Sequence, residues 1–224
     1  MAGAPHEIIV ADCGSVDGTA NLAARLGVRV VQDDPRPDSR AAALNAGAAR
    51  ATGDVLLFLD ADSTVPRGYD RAIGRALRDA GVVGGAFEFA LDPWAFGVRL
   101  VEIVNRIRYR LWPLYYGDQG IFVRAGVFRR VKGYPPRRIL EASDFCRVLR
   151  REGRLVLLRH RLMTSSRRFL EGGVFRVLGQ DVRIWWLDLV GRPTEPLAVA
   201  YQENNRRRGL ASGPHPDPVR SGSG

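Results

Sequence analysis

DVLLFLDADS, residues 54–63, is the stretch that decides the fold class of this chain. Its apolar run from Val55 to Leu59 is typical of a strand that is buried on both faces. The strand is predicted to end at Asp60, and Pro66 then begins a helix. A buried strand followed directly by a helix is the repeating unit of a parallel α/β sheet.

The same alternation continues on both sides of this stretch. Strands are predicted at residues 7–11, 28–31, 54–59, 82–90, 120–124 and 154–158, and helices at 18–26, 39–51, 66–80, 94–111, 143–152 and 172–190. The pattern predicts a Rossmann-like α/β fold, with a mostly parallel sheet and flanking helices, in one domain over residues 1–200. Residues 201–224 are rich in Arg, Gly, Pro and Ser and are predicted to be a disordered tail.

The bulk composition is that of a globular protein with a strong positive charge. The chain has 224 residues, a hydrophobic fraction of 46% and a net charge of +10. Attraction to polyanions and a simple preference for arginine both explain the charge, because the arginines are scattered. We expect no nucleic-acid partner. No signal peptide and no apolar run long enough to cross a bilayer are visible, which predicts a cytoplasmic protein.

The two acids after the buried strand are the strongest chemical signal. Ligands of open α/β sheets bind beyond the carboxyl ends of the strands, where Asp60 and Asp62 are predicted to lie. Mg²⁺ and Mn²⁺ prefer such oxygen ligands and often share them with a diphosphate, whose charge the cation neutralises as it leaves. Two solvated acids that cap the next helix are the alternative.

Two further turns carry polar groups that suit a binding site. Asp12 begins the run DCGSVDGT, residues 12–19, where its carboxylate can accept a hydrogen bond from a base or ribose. A capped turn between strand and helix is an equally simple interpretation. Asp118 and Gln119 form GDQG, residues 117–120, which is either a tight turn facing a pocket or the turn that begins a strand.

Two charged pairs lie further along the chain. Glu141 and Asp144 precede or begin a helix, where a carboxylate can serve as a general base or simply favour the helix N-terminus. Arg167 and Arg168 suit a phosphate clamp, although a solvated basic turn explains them as well.

Taken in this order, the motifs resemble family 2 glycosyltransferases of the GT-A fold, the nucleotide-diphospho-sugar transferase fold. They are more narrowly similar to a bacterial subgroup associated with radical-SAM and selenoprotein-domain gene clusters. The resemblance covers about residues 6–190 and rests on the ordered segments IIVADCGSVDGTANLAARLG, SRAAALNAGAARATGDVLLFLDADS, VVGGAF, YGDQGIFVR, GYP, LRREGRLVLL and TSSRRF.

The resemblance implies a role for each candidate residue. Donor-binding roles fall to Asp12, Arg40, Asn45, Asp60, Arg167 and Arg168. Within that set, Asp12 resembles the acid that contacts the uracil, and Asp60 resembles the ribose-side acid of the D-x-D motif. Asp62 resembles the ligand of Mg²⁺ or Mn²⁺, with Asp60 beside it. Asp118 and Gln119 match the acceptor-side turn.

The implied reaction is transfer of a sugar from a nucleotide-sugar donor, UDP-linked by this resemblance, to an acceptor hydroxyl, usually with inversion. The acceptor is open between a lipid-linked compound and a small molecule. Two departures leave alternatives: the family's opening strand S-V-I-I-P-x-x-N-E is missing, and its usual Glu-Asp reads Glu141-Ala142. Glu141 and Asp144 are then the candidates for the base. An inactive remnant or interaction module and a sugar nucleotidyltransferase are the competing functions.

The predicted helix over residues 172–190 adds one interaction surface. It carries Trp185 and Trp186 together with Arg176 and Arg183, a composition that resembles a helix lying in a membrane interface. We therefore expect either peripheral contact with the inner face of the membrane through 172–190 or packing of this helix on the domain.

Overall fold

The computed structural model describes residues 6–13, 15–32, 40–112, 114–194 and 197–198. They belong to two compact units, Met1–Ser166 and Arg167–Gly224, which are taken in turn. The single domain over residues 1–200 stays a prediction. The predicted disordered tail at 201–224 lies outside the described residues.

The first unit alternates strands and helices as the sequence predicts. Its elements are β1 (Ile9–Ala11), α1 (Thr19–Arg25), β2 (Arg29–Val31), α2 (Arg40–Ala49), β3 (Val55–Phe58), β4 (Ser63–Thr64), α3 (Tyr69–Ala76), β5 (Val82–Asp92), α4 (Phe96–Leu111), a 3-10 turn (Gly117–Gln119), β6 (Ile121–Arg124), α5 (Ala125–Arg130), α6 (Glu141–Glu152) and β7 (Arg154–Ser165). The α/β class is therefore confirmed.

The sheet is mixed, which corrects the expectation of a mostly parallel one. β1 and β2 form a parallel pair, and five strands form a second sheet in the order β3-β6-β5-β7-β4. In that sheet β5 and β7 are parallel, whereas β6 runs antiparallel to β3 and β5, and β4 antiparallel to β7. Apolar runs identify buried strands but contain no information about strand direction. The antiparallel direction of β6 and β4 was therefore not predictable from them.

β5 forms the centre of the larger sheet. It is buried along its whole length except at Asp92, and it pairs with β6 on one side and β7 on the other. Removing apolar surface from water is the main source of stability here. The core around β5 consists of Ile73, Leu77, Val82, Phe87, Phe122 and Leu162.

β7 is much longer than the predicted strand at residues 154–158. It continues to Ser165, and its last residues pair with β4, so that Thr164 lies opposite Ser63. The alternation of Arg159 and Arg161 with less polar neighbours was the available signal, since period two indicates a strand. The extension matters because it reaches the turn that follows β3.

Among the described residues of the second unit, α7 (Arg167–Gly172) and α8 (Val174–Leu189) contact each other. Helix α8 confirms a helix in the predicted region 172–190, with Phe175 and Trp186 exposed and Val177 and Ile184 buried. Over the described residues, none of the helices is both long and apolar enough to cross a membrane.

Two adjacent glycines, Gly84 and Gly85, let β5 lie between its neighbours. A Cβ at Gly85 would overlap the carbonyl oxygen of Val156 on β7 and lie 2.8 Å from the ring of Phe122. We expect Gly85→Ala to lower the free energy of unfolding by roughly 2–4 kcal/mol, because backbone cannot yield as a flexible side chain does. Urea unfolding followed by circular dichroism measures it.

Gly74 offers the matched control for this substitution. It lies in α3, where an added Cβ meets no other atom within 4 Å. Because alanine favours a helix interior, Gly74→Ala should stabilise the chain by about 0.5–1 kcal/mol. If Gly85→Ala shifts the urea midpoint no more than Gly74→Ala does, the close packing of β5 against β7 is wrong.

Candidate functional site

Arg40 lies at the centre of the candidate site. It is the first residue of α2, and its guanidinium donates to Asp60, just beyond β3, and to Glu141, the first residue of α6. Burial by itself would lower the pKa of Arg40, but the two carboxylates outweigh it and the net shift is upward. One permanent positive charge therefore joins two acids that are 81 positions apart in sequence (141 − 60 = 81).

The turn after β3 carries the two predicted metal ligands. Asp60 is half-buried, Asp62 is exposed, and the amide of Ser63 donates to the carbonyl of Asp60 over 3.0 Å. The carbonyl of Asp62 accepts from the amide of Ser165 over 3.2 Å, so the end of β7 holds this turn. Both carboxylates thus stand on a backbone that is fixed at two points.

These two carboxylates fit a divalent cation that takes its other ligands from a bound molecule. In the part of the chain that the structure describes, His, Cys, Asp and Glu form no cluster of three or more that could hold a metal. Mg²⁺ commonly binds through one or two carboxylates together with substrate phosphates and water. Asp60 and Asp62 match that donor set. Two carboxylates are too few to enclose a cation with protein ligands alone.

The GDQG turn, residues 117–120, lies against the guanidinium of Arg40. A Cβ at Gly117 would overlap the guanidinium of Arg40, so glycine is what lets this turn approach it. The hydroxyl of Thr164 donates to the carbonyl of Asp118 over 3.2 Å and is 2.8 Å from the hydroxyl of Ser63. The GDQG turn, the end of β7 and the acidic turn after β3 are therefore one connected network.

Gln119 is a buried residue that holds this turn in place. It is fully buried at 0% exposure, and its amide nitrogen donates to the carbonyl of Phe87 over 3.2 Å. Its amide oxygen accepts from the backbone of Tyr116 and from the guanidinium of Arg108. Protein groups thus bond both ends of the amide, and the acceptor-side roles of Gln119 and Asp118 stay predictions.

Asn45 likewise holds backbone. Its amide oxygen accepts from the backbone nitrogen of Tyr134 over 2.8 Å, and its amide nitrogen donates to the carbonyl of Tyr134 over 3.0 Å. A Cβ at Gly133 would overlap the same amide oxygen. Asn45 thus clamps the GYP loop that leads towards α6, and its predicted place in the donor pocket stays a prediction.

The two candidate bases have different surroundings. Glu141 is buried at 6% exposure and contacts Arg40 directly. Asp144, one helical turn along α6, is half-buried and pairs with Arg137 over 2.8 Å and with Arg147 over 2.5 Å. Position 142, where the family has its second acid, is a buried alanine. Glu141 is therefore the acid that the structure joins to Asp60.

Asp12 directly follows the first strand, as predicted. Its buried carboxylate accepts from the amide of Ser15 over 3.2 Å and from the side chain of Gln32 over 3.1 Å. Burial raises the pKa of the neighbouring Cys13 thiol, Asp12 raises it further, and Arg40 partly offsets the shift. The field of Arg40 thus reaches the turn that follows β1.

Arg167 and Arg168 begin α7 in the second unit. Arg168 forms an ion pair with Asp181 of α8 and lies over the ring of Phe169, with 5.3 Å between the guanidinium carbon and the ring centroid. Their predicted position beside the diphosphate stays a prediction. The sequence missed Ser63 and Thr164 altogether, because only the pairing of β4 with β7 brings these hydroxyls together.

Comparison with known proteins identifies the family. Residues 3–153 match the sequence profile described as Glycosyl transferase family 2. An uncharacterised glycosyltransferase of Mycobacterium tuberculosis is 28% identical over 151 residues, which cover 62% of this chain and 68% of that protein. The narrower likeness to the radical-SAM-associated subgroup stays a prediction.

Solved structures show the same fold at low sequence identity. A mannosyltransferase from Pyrobaculum calidifontis, in complex with GDP-Man and Mn²⁺, is 18% identical with a TM-score of 0.57, over 87% of this chain and 59% of that one. The glucosyl-3-phosphoglycerate synthase from Mycobacterium tuberculosis, in complex with Mn²⁺ and UDP-Glc, is 19% identical with a TM-score of 0.54, over 84% and 68%. The chain belongs to glycosyl transferase family 2 and is a glycosyltransferase of the GT-A fold.

Proposed function

We propose that this chain transfers a sugar from a UDP-linked donor to an acceptor hydroxyl with the help of a divalent cation. The observation that supports this most directly is the bridge that Arg40 makes between Asp60 and Glu141. It brings an acid of the predicted donor site and a candidate base to one position in the fold. Sugar transfer needs a donor site and a base close together, because the hydroxyl must attack the carbon that loses the nucleotide.

The donor half of the proposal rests on acids at strand ends. Asp62 and Asp60 would hold Mg²⁺ or Mn²⁺, which when bound neutralises charge on the departing diphosphate. Asp12, at the end of β1, would accept a hydrogen bond from the uracil. The complexes of the two structural relatives, one with Mn²⁺ and GDP-Man and one with Mn²⁺ and UDP-Glc, support a cation together with a nucleotide sugar. Arg167 and Arg168 would contact the diphosphate.

The catalytic half assigns the base to Glu141. Its carboxylate would take the proton of the acceptor hydroxyl, and its pairing with Arg40 holds it in a fixed orientation. Asp144 is the weaker candidate, since it lies one turn further along α6 and its partners, Arg137 and Arg147, do not join it to Asp60. Asp118 would contact the acceptor from the turn that Gln119 and Gly117 hold in place.

Nucleotide binding followed by calorimetry tests the donor assignment. We expect UDP to bind in the presence of Mn²⁺ at least about tenfold more tightly than in EDTA, because a cation shared with the diphosphate adds more than 1.4 kcal/mol. GDP, ADP and CDP are the matched ligands, and UDP should bind most tightly. Slow hydrolysis of UDP-sugars to UDP should then identify the sugar.

Two results would contradict the proposal. The first is that Mn²⁺ changes the affinity for none of the four nucleotides. The second is release of pyrophosphate from a nucleoside triphosphate and a sugar phosphate, which would establish the nucleotidyltransferase alternative.

A further inference from the structure

Helix α4 exposes an apolar stripe along its whole length. At about 3.6 residues per turn its members fall within an arc of about 80° on one side of the helix. The exposed fractions run from 39% at Leu100 to 89% at Phe96. The stripe consists of Phe96, Leu100, Ile103, Ile107 and Leu111. The opposite face, with Val98, Val101 and Tyr109, is buried in the first unit, so this helix is apolar on two sides.

Tryptophans and arginines surround the stripe. Trp94, just before the helix, is 68% exposed, and Trp112, just after it, is 38% exposed. Arg99, Arg106 and Arg110 share one flank of the stripe, within an arc of about 40° by the same geometry. Tryptophan at the ends and arginine along the side are typical of helices that lie in a membrane interface.

The charge around α4 favours an anionic surface as the partner. The only acid of the helix, Glu102, is buried, where it accepts from the backbone of Leu91 over 2.9 Å and pairs with Arg99 over 2.6 Å. Arg110 pairs with Glu88 over 3.3 Å, and both arginines remain partly exposed beside the stripe. The chain as a whole has a net charge of +10. A continuous apolar patch beside partly exposed arginines, on a chain of net positive charge, combines burial with attraction to anionic lipid headgroups.

We propose that α4 docks through this stripe on the surface of an anionic lipid bilayer. The five stripe side chains enter the boundary between headgroups and acyl chains, while the arginine flank faces the headgroup phosphates. The predicted contact through residues 172–190 belongs to the other unit and stays a prediction of its own.

Docking of α4 also favours one class of acceptor, an inference that rests on the function proposed above. Arg108, near the end of α4, donates to the carbonyl of Leu114 over 3.1 Å and to Gln119 over 3.3 Å, and lies over the ring of Tyr116. The acceptor-side turn is thereby tied to the helix that contacts the bilayer. A lipid-linked acceptor is the class that this arrangement favours.

Sedimentation of the full chain with vesicles tests the docking. We expect binding to vesicles that contain phosphatidylglycerol, little binding to pure phosphatidylcholine, and weaker binding as salt is added. The double variant Ile103→Ser/Ile107→Ser should lower the partition coefficient by at least about tenfold, since two large apolar side chains no longer enter the interface. Both residues are exposed, so the urea midpoint should not change.

The matched control is the double variant Val182→Ser/Trp186→Ser, which removes exposed apolar side chains of α8 and should keep vesicle binding. Loss of binding in this control alone, or no binding of the unchanged chain to anionic vesicles, overturns the proposal. So does a dimer in analytical ultracentrifugation that Ile103→Ser/Ile107→Ser converts to a monomer. Vesicle binding needs no donor, and UDP-sugar hydrolysis by the stripe variant should be unchanged, so the docking and the transferase proposal can fail independently.

Discussion

Glu141→Gln should lower the rate of UDP-sugar hydrolysis by about 10²–10⁴-fold, the usual contribution of a general base. Glutamine keeps the shape of the side chain but cannot accept the proton of the attacking hydroxyl or water. Arg40 retains its bond to Asp60 in this variant, so the donor side of the site should stay in place. Calorimetry should therefore find UDP affinity with Mn²⁺ within about threefold of the unchanged chain.

Asp144→Asn is the matched variant for this experiment. Asp144 lies on the same helix and has the same charge, but its partners are Arg137 and Arg147 and not Arg40. We expect its hydrolysis rate to fall by less than about tenfold. If Asp144→Asn shows the large loss and Glu141→Gln does not, the base is Asp144 and the assignment from the Arg40 bridge is wrong.

Asp62→Ala should abolish the effect of Mn²⁺ on UDP binding and lower the hydrolysis rate by at least about 10³-fold, because cation stabilisation of a leaving group contributes several kcal/mol. Asp62 is exposed on a turn whose backbone Ser165 holds. Truncation should leave the fold unchanged, and the urea midpoint is the measurement that verifies this. Binding isotherms with and without Mn²⁺ then isolate the metal contribution.

Asp54→Ala provides the comparison at the other end of the same strand. Asp54 is an exposed acid directly before the first residue of β3, whereas Asp62 lies in the turn after the last residue of that strand. Removing it changes the net charge equally and should leave Mn²⁺-dependent binding unaltered. Equal losses in the two variants would indicate a general charge effect and no cation site at Asp62.

The motif DVLLFLDADS shows what local sequence can predict. Apolar run, strand end and following acids are all encoded within ten neighbouring residues, so β3 and the acidic turn were predictable from periodicity and turn chemistry. The ordered motifs also predicted the family, because their spacing along the chain is itself a property of sequence. Neither kind of inference requires knowledge of which residues meet in space.

Gln119 and Asn45 show what local sequence does not predict. Both are polar residues in motifs that resemble binding sites, and both prove to bond the backbone of Tyr116 or Tyr134. Whether an amide faces a ligand or holds a loop depends on burial, which is set by elements distant in sequence. The direction of β6 and the length of β7 escaped prediction for the same reason, since pairing partners decide them.

Local sequence is enough to predict the α/β class, the buried strand at residues 55–58 and the two acids that follow it, because each depends on contiguous residues. Tertiary structure alone decided that Arg40 joins Asp60 to Glu141, and that the apolar stripe of α4 faces away from the core. A helix with apolar residues on two sides has no preferred side in its sequence. Packing against the first unit buries one of them and leaves the other exposed.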